Sequence, residues 1–347
     1  MNFYHLSHTD LDGYGCQLIT KKIFPDGLYL NANYGLEVKI NLKHILDTIQ
    51  SCEEKESFIL ISDVNLNPDE AKFLDKQVNT LNEAGHNIKL QLLDHHGSGE
   101  KSAKRYDWYY LDTTRSATKI VYDYFIENYP TFLSLCENNF EILINSINAV
   151  DIWIDDSEYF EFGKVCLTMI AKSYEINNTL FSNENRDYRL YLLEKSLDYV
   201  SLEDAHIKLD EAIYSLKKQY LQLCSSNDTM ENLSSKYLVQ LLEDKKDELT
   251  VYYQGHKGLL TFTIGGISIP ANAFLKANPD YDFFLDVSRR GKAGIRANGK
   301  LDVSKVAHNI ANGGGHPNAS GMAFDDWKDT VLYSDVKKYI ENKLETK

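Results

Sequence analysis

Apolar runs of strand length alternate with amphipathic stretches through the first part of the chain. Strands are expected at Phe3–Ser7, Phe58–Ser62, Ile88–Leu93 and from about Trp108 to Leu111. Between and after them, helical patterns run from about Tyr14 to Phe24, from Pro68 to Ala84, from a Ser116 cap to Tyr129, and from Glu141 to Val150. The second carries a complete start signal, Asn67-Pro68-Asp69-Glu70. The last is apolar along Ile142, Leu143, Ile147 and Val150. Strands alternating with helices predict a right-handed, mostly parallel α/β domain flanked by helices.

From Asn185 to about Cys224 the pattern becomes polar and helical, and Ser225-Ser226-Asn227-Asp228 interrupts it. A second, smaller α/β unit follows. Its strands are expected at Tyr237–Leu242, Leu249–Tyr253, Leu259–Ile264 and Phe283–Val287, with helices at Ile269–Ala277 and Val303–Asn312. The expected division is a first domain over 1–184, a helical connector over 185–228 and a second domain over 229–347. No internal repeat is visible.

Composition narrows the partners. Of the 347 residues, 43% are hydrophobic and 25% charged, ordinary for a globular protein. No apolar run approaches the ~20 residues that span a bilayer. The N-terminus lacks the basic and apolar regions of a signal peptide. Five scattered cysteines with no Cys-x-x-Cys pair argue for a reducing cytoplasm and against a structural zinc site. The formal charge of −14 disfavours long nucleic-acid strands, which call for a basic footprint, and suits a small phosphorylated substrate better.

Chemistry-bearing residues gather where strands end. After the first strand comes His8-Thr9-Asp10-Leu11-Asp12-Gly13; after Phe58–Ser62 comes Asp63; after Ile88–Leu93 come Asp94-His95-His96, with Gly97-Ser98-Gly99 making the turn. Asp151 closes the helix that ends near Val150, where a carboxylate opposes the helix dipole and needs a cation or solvent. Singly, each has a plain structural explanation: an Asx turn, a helix cap or a hydrogen-bonded strand end. Asp63 is different, because Asn67 already serves as the cap of the helix that follows. Together these residues supply the oxygen and imidazole ligands that two neighbouring divalent cations require. Such a pair can activate a water and stabilise both oxygens of an in-line phosphoryl displacement. Asp63, alone on a central strand end, is the candidate bridge.

A second cluster lies near the C-terminus. Arg289, Arg290, Lys292, Arg296 and Lys300 fall within twelve residues, and Gly313-Gly314-Gly315-His316 follows the last helix. Arginine forks grip phosphate oxygens, and a glycine run can turn its amides into an anion-binding nest. Flexible loop is the bland alternative. In an acidic protein, the pairing of cations with glycines points to phosphate binding.

These motifs, in this order and over nearly the whole chain, resemble the DHH-family phosphoesterases that carry a C-terminal DHHA1 domain. The matching residues are His8-x-Asp10-x-Asp12-Gly13, Asp63, Asp94-His95-His96, Asp151, and Gly313-Gly314-Gly315-His316 with Ala319-x-Gly321. The resemblance implies two Mn²⁺ ions, with Co²⁺ or Mg²⁺ as substitutes, and an active site in a cleft between the domains. It implies His8 and Asp10 on one metal, Asp12, His95 and Asp151 on the other, and Asp63 between them. His96 would face the scissile phosphate, and Asp94 would orient a histidine from behind. Arg289, Arg290, Arg296, Gly313, Gly314, Gly315 and His316 would hold substrate. Arg296 stands in Gly294-Ile295-Arg296-Ala297, where the family has Ser-Leu-Arg-Ser. The single residue between His8 and Asp10 resembles the exonuclease and nano-RNase B branches rather than the small-substrate members, which have three.

The expected activity is manganese-dependent hydrolysis of short oligoribonucleotides or linear dinucleotides to 5′-mononucleotides. The same centre suits cyclic nucleotides or 3′-phosphoadenosine 5′-phosphate. A manganese pyrophosphatase ranks lower, since it would favour a Lys/Arg-rich C-terminal pocket and the longer His-to-Asp spacing, and so does a non-catalytic nucleotide sensor, since no ligand of the set is missing. Short RNA or a nucleotide is the expected partner, with no long duplex and no membrane, and a homodimer is left open.

Overall fold

The computed structural model describes residues 1–222 and 227–345. The expected end of the polar helical stretch at Cys224 and the Ser225-Ser226 break lie outside the described residues. Two compact units are present: Met1–Ser173 with Arg186–Lys217, and Tyr174–Asn185 with Lys218–Lys347. The stretch read as a connector over 185–228 is therefore divided, most of it grouping with the first unit. Among the described residues no helix is long and apolar enough to cross a membrane.

In the first unit the elements run β1 (Asn2–Ser7), α1 (Leu11–Lys21), β2 (Leu28–Asn31), α2 (Leu36–Ser51), β3 (Glu56–Ser62), α3 (Pro68–Glu83), β4 (Asn87–Asp94), α4 (Glu100–Ala103), β5 (Tyr109–Leu111), α5 (Ala117–Asn128), α6 (Phe140–Asp151) and α7 (Phe160–Ala171). The helices α8 (Ser182–Ser196) and α9 (Ala205–Leu221) follow. The five strands form one sheet in the order β2-β1-β3-β4-β5, parallel throughout. Helices α2 and α3 bury Leu42, Ile45, Leu74 and Val78 in a core with Tyr4, Leu6, Ile59 and Ile61 of the strands. Phe58 to Ile61 are fully buried, and each such side chain removes apolar surface from water for about 1.5–3 kcal/mol.

The chain leaves β1 for β2 on one side, then crosses back to β3 on the other. The carboxyl ends of β1 and β3 are thus the topological switch point, where an open parallel sheet has its crevice. His8 and Asp63 are the first residues past those two ends.

The second unit contains α10 (Met230–Leu249), β6 (Thr250–Tyr253), β7 (His256–Phe262), α11 (Ser268–Ala277), β8 (Phe283–Val287), β9 (Lys292–Ala297), α12 (Val303–Ala311), β10 (Gly314–His316), β11 (Ala319–Ala323) and α13 (Tyr333–Glu345). Its six-stranded sheet has the order β10-β11-β9-β8-β7-β6 and is mixed, β7 and β8 being the parallel pair.

Three expectations need correction. The strand expected at Tyr237–Leu242 is the middle of α10: Thr229 caps that helix by accepting the Asn232 amide, and Leu233, Leu238, Leu242 and Leu249 are its buried residues. A six-residue apolar run does not by itself separate strand from helix. The first helix begins at Leu11 rather than Tyr14, because Asp10 is already its N-cap and accepts the Gly13 amide. The glycine run is not a nest. Gly314–His316 is an edge strand paired with Ala319–Gly321. Cβ atoms on Gly313 and Gly315 would come within 2.4 and 2.7 Å of the carbonyl oxygens of Gly321 and Ala319, so those two glycines permit close backbone approach. Elements β2, α2, α4, α7, β9, β10, β11, α13 and the start of α8 are not among the expected ones.

Candidate active site

The site is built on strand ends that a buried polar network ties together. Ser7 and Ser62, the last residues of β1 and β3, bring their hydroxyls to 2.9 Å, and Ser7 Oγ also reaches the Gly13 carbonyl at 3.0 Å. Beneath them the fully buried His5 ring spans from Thr20 Oγ1 at 2.8 Å to Ser62 Oγ at 2.7 Å. Burial, then the charge of Arg186, lowers the His5 pKa to about 3, so the ring is neutral and one nitrogen donates while the other accepts. Gly13 lets α1 close against this corner; a Cβ there would lie 2.4 Å from the His8 carbonyl oxygen.

Above the network the strand-end residues converge. His8 Nδ1 lies 2.7 Å from Asp10 Oδ2 and 3.8 Å from Asp63 Oδ2. His95 Nε2 lies 3.4 Å from Asp63 Oδ1, 3.6 Å from Asp151 Oδ2 and 3.7 Å from Asp12 Oδ2. The donor atoms fall into overlapping groups, each within 4.8 Å: His8, Asp10 and Asp63; Asp12, His95 and Asp151; and Asp63, His95 and His96. Asp63 joins the first group to His95 of the second. Its backbone is left-handed, with φ of 57°, while its amide continues the sheet by donating to the Leu93 carbonyl at 3.2 Å. Such a conformation costs about 1–3 kcal/mol and marks a position held for its side chain.

Electrostatics shows what this cluster lacks. Asp63 is 1% exposed and its Oδ2 has no hydrogen-bond partner. Burial, with the charges of Asp12, Asp10 and Asp151, drives its pKa well above the carboxylate range. Burial, with Asp12 and Asp10, pushes Asp151 up to about 9. Burial also acts to raise Asp10, but the His8 contact and the Gly13 amide outweigh it and hold that carboxyl down at about 2. Four carboxylates share a space where their charges cannot all be tolerated. Hard cations with mixed oxygen and imidazole ligation would meet the need, so the donor set fits divalent metals.

The Asp94-His95-His96 triplet divides its work. His95 points into the carboxylates. His96 Nδ1 contacts Asp94 Oδ1 at 2.8 Å, and Asp94 Oδ2 accepts the Tyr109 hydroxyl at 2.9 Å. Tyr109 therefore holds Asp94, which orients His96 and leaves its Nε2 for other partners. Burial opposes protonation of His96, but the Asp94 hydrogen bond and charge prevail and raise its pKa.

Several supporting residues carried no signal in the sequence: His5, Ser7, Ser62, Tyr109, Tyr34 and Thr118. Most are ordinary strand or helix residues whose role exists only through pairing register. Tyr34, in the loop after β2, brings its ring to the imidazoles of His8 and His96.

In the second unit the expected substrate residues separate into two places. Arg289 and Arg290 lie in the tight turn between β8 and β9, while Arg296 lies four residues along β9 from Lys292, about 13 Å away at strand rise. Lys300 turns to the Pro279 carbonyl and lies 3.7 Å from Asp282. The five cations do not converge. Register instead puts Arg296 opposite Ala319, and Ala319 opposite His316. Gly294, Gly321 and Gly314 align two residues further along the three strands. Arg296, His316 and these glycines therefore share one sheet face with small neighbours. Arg296 Nη2 donates to Ser268 Oγ at 3.1 Å, which fixes the guanidinium.

No protein-family model matches the chain. It is 44% identical over 341 residues to a 3′,5′-cyclic-nucleotide phosphodiesterase from Helicobacter pylori, covering 98% of both chains. It is 23% identical to oligoribonuclease NrnB from Bacillus subtilis, covering 93% of this chain and 73% of that protein. A crystal structure of an uncharacterised protein from Helicobacter pylori G27 superposes with a TM-score of 0.94 at 43% identity, with both chains fully covered. Carboxylates and imidazoles at the switch point of a parallel sheet, in a chain with these relatives, define a hydrolase acting on phosphodiester bonds. The chain belongs to the DHH family of phosphoesterases.

Proposed function

We propose that this chain is a manganese-dependent phosphodiesterase of small nucleotides, working with two divalent cations. One observation carries the reading: two groups of metal-type donors meet at Asp63, a buried carboxylate whose Oδ2 has no hydrogen-bond partner. His8 and Asp10 would hold one cation, Asp12, His95 and Asp151 the other, and Asp63 both. When bound, such a pair lowers the pKa of a water and offsets charge at the phosphoryl oxygens.

The chain's own residues do the rest. His96, with Nδ1 engaged by Asp94, presents Nε2 as a donor to a non-bridging phosphate oxygen. Asp94, itself held by Tyr109, anchors the Nδ1 side of that ring. The Ser7–Ser62–His5 network fixes the spacing of the β1 and β3 ends, and thus of His8 against Asp63. Arg296, steadied by Ser268, would grip a second phosphate or a sugar, with His316 beside it and Gly294, Gly314 and Gly321 leaving room for it. Arg289 and Arg290 would contact substrate only if it extended along β9. The product would be a 5′-mononucleotide.

Two substrate readings stand on specific observations. The 44% identity to a protein named for 3′,5′-cyclic nucleotides, over nearly the full length of both chains, favours cyclic nucleotides. The more distant likeness to an oligoribonuclease, and the short His8-Thr9-Asp10 spacing, favour short oligoribonucleotides and linear dinucleotides. The deciding experiment is a panel with Mn²⁺: 3′,5′-cyclic mononucleotides, RNA of two to five nucleotides, a longer RNA, 3′-phosphoadenosine 5′-phosphate and pyrophosphate. Chelator should abolish turnover of the preferred phosphodiester. Chelator-resistant turnover, or activity on pyrophosphate alone, would defeat the proposal.

A further inference from the structure

Tyr34 stands out among the exposed large side chains because nothing about its own packing explains its place. It is 46% exposed, yet its ring centroid lies 5.3 Å from that of His8 and 5.9 Å from that of His96, nearly perpendicular to the latter at 82°. His8 belongs to the group with Asp10, and His96 is held by Asp94. The two imidazoles come from different strand ends and share this aromatic neighbour.

The loop that presents Tyr34 is fixed from both sides. Asn31, ending β2, donates to the His8 carbonyl at 2.8 Å. Thr9 Oγ1 donates to Asn33 Oδ1 at 2.9 Å, and the Asn33 amide donates to Glu37 Oε2 at 2.8 Å. Gly35, with φ of 84°, then turns the chain into α2. This local bonding fixes the loop that presents Tyr34, and the contacts with His8 and His96 are what the ring itself makes. Each edge or tilted contact between aromatic rings shifts an equilibrium by about 2–10-fold. That is small for stability but enough to select one orientation of an imidazole. Burial and the charges of Asp63, Asp94, Asp10 and Asp151 push the phenol pKa up, so the hydroxyl remains neutral beside the acidic centre.

We propose that Tyr34 is a positioning residue of the phosphodiesterase centre, its ring setting the planes of His8 and His96 together. The inference rests on the proposed roles of those two histidines. Tyr34 orients one ring on the metal side and one on the phosphate side, so a single truncation disturbs both. Removing the ring should therefore cost about 2–10-fold in metal binding and in turnover.

The test compares Tyr34→Phe and Tyr34→Ala with the unaltered protein in three measurements: Mn²⁺ binding by calorimetry, kcat and KM on the preferred substrate, and imidazole NMR signals of the metal-free protein. Tyr34→Ala should lower kcat and weaken Mn²⁺ binding about three- to tenfold, shift the His8 and His96 signals, and leave the melting temperature unchanged. Tyr34→Phe keeps the ring and should stay within about twofold on every measure. Wild-type kinetics, metal binding and imidazole signals in Tyr34→Ala would overturn the inference, as would equal damage from both variants, which would assign the effect to the hydroxyl. If the signals shift but the unaltered protein hydrolyses no phosphodiester, the positioning stands and the proposed function falls.

Discussion

Asp12 Oδ2 accepts the backbone amide of Ala117 at 2.7 Å, across more than a hundred residues of chain. Its other oxygen accepts the Thr118 amide at 2.8 Å, and Thr118 Oγ1 returns a hydrogen bond to the Asp12 carbonyl at 2.7 Å. The first two amides of α5 are thereby satisfied by a residue of α1, at the helix end where negative charge is favoured. Asp12 is thus a structural tie as well as a candidate ligand. One lone pair on each oxygen remains for a cation, and the tie dictates which direction it faces.

Asp12→Ala should therefore destabilise the protein even without metal. Two buried amides would lose their acceptor, costing roughly 1–3 kcal/mol. Urea unfolding in excess chelator is the check. A midpoint equal to that of the unaltered protein would show that the amides find other acceptors and that the tie contributes nothing.

Asp63→Asn should behave in the opposite way. Asp63 Oδ2 has no hydrogen-bond partner, and burial with the neighbouring carboxylates already keeps its carboxyl protonated in the metal-free protein, so an uncharged amide of the same shape costs that state little. Thermal unfolding in chelator should give a melting temperature no lower than wild type. Hydrolysis should fall by at least about a hundredfold, since charge stabilisation by bound cations is worth several kcal/mol. Retained turnover would remove Asp63 from the bridging position.

The contrast between those two aspartates marks what was legible in the chain. Phe58-Ile59-Leu60-Ile61-Ser62 announces a buried strand, and Asp63 is conspicuous because Asn67 already caps the next helix. The strand ends at His8, Asp63 and Asp94 could be found for the same reason: apolar runs have edges, and polar residues at those edges are visible locally. The Asp12 tie depends on α5 arriving from far along the chain, and no local pattern encodes it. Four-residue β2 is too short to declare a period, so α2 and the Tyr34 loop were missed with it. In the second unit, Tyr237–Leu242 contains a plausible strand pattern that the Thr229 cap and the spacing of buried leucines override. The glycine run suggested a cradle, but its pairing with Ala319–Gly321 is a matter of register.

Arg296→Ala addresses the second unit. Removing a charged hydrogen-bond donor to substrate costs about 1.5–3 kcal/mol, so KM for the preferred nucleotide should rise about tenfold or more. Manganese content, measured on the purified variant by elemental analysis, should not change. Unchanged KM would show that substrate does not reach this face, and loss of metal would show that Arg296 acts on the metal centre.

His5 gives the stability of the chain a defined response to acid. Its folded pKa of about 3 lies below the value near 6.5 expected when unfolded, because burial and Arg186 disfavour the charged ring. Below pH 6.5 the unfolded chain binds a proton that the folded protein refuses. Stability from this group is therefore complete above pH 6.5 and is lost as pH falls towards 3. Between pH 7 and pH 5 the loss should be about 2 kcal/mol. Replacing the ring with an uncharged side chain of similar hydrogen-bonding capacity, His5→Gln, should remove that component while lowering stability at pH 7 through poorer fit between Thr20 and Ser62. Urea unfolding of both proteins at the two pH values measures the difference in slope. Parallel losses of stability in the two would mean that His5 takes up its proton in the folded state, and that the corner beneath His8 and Asp63 admits charge.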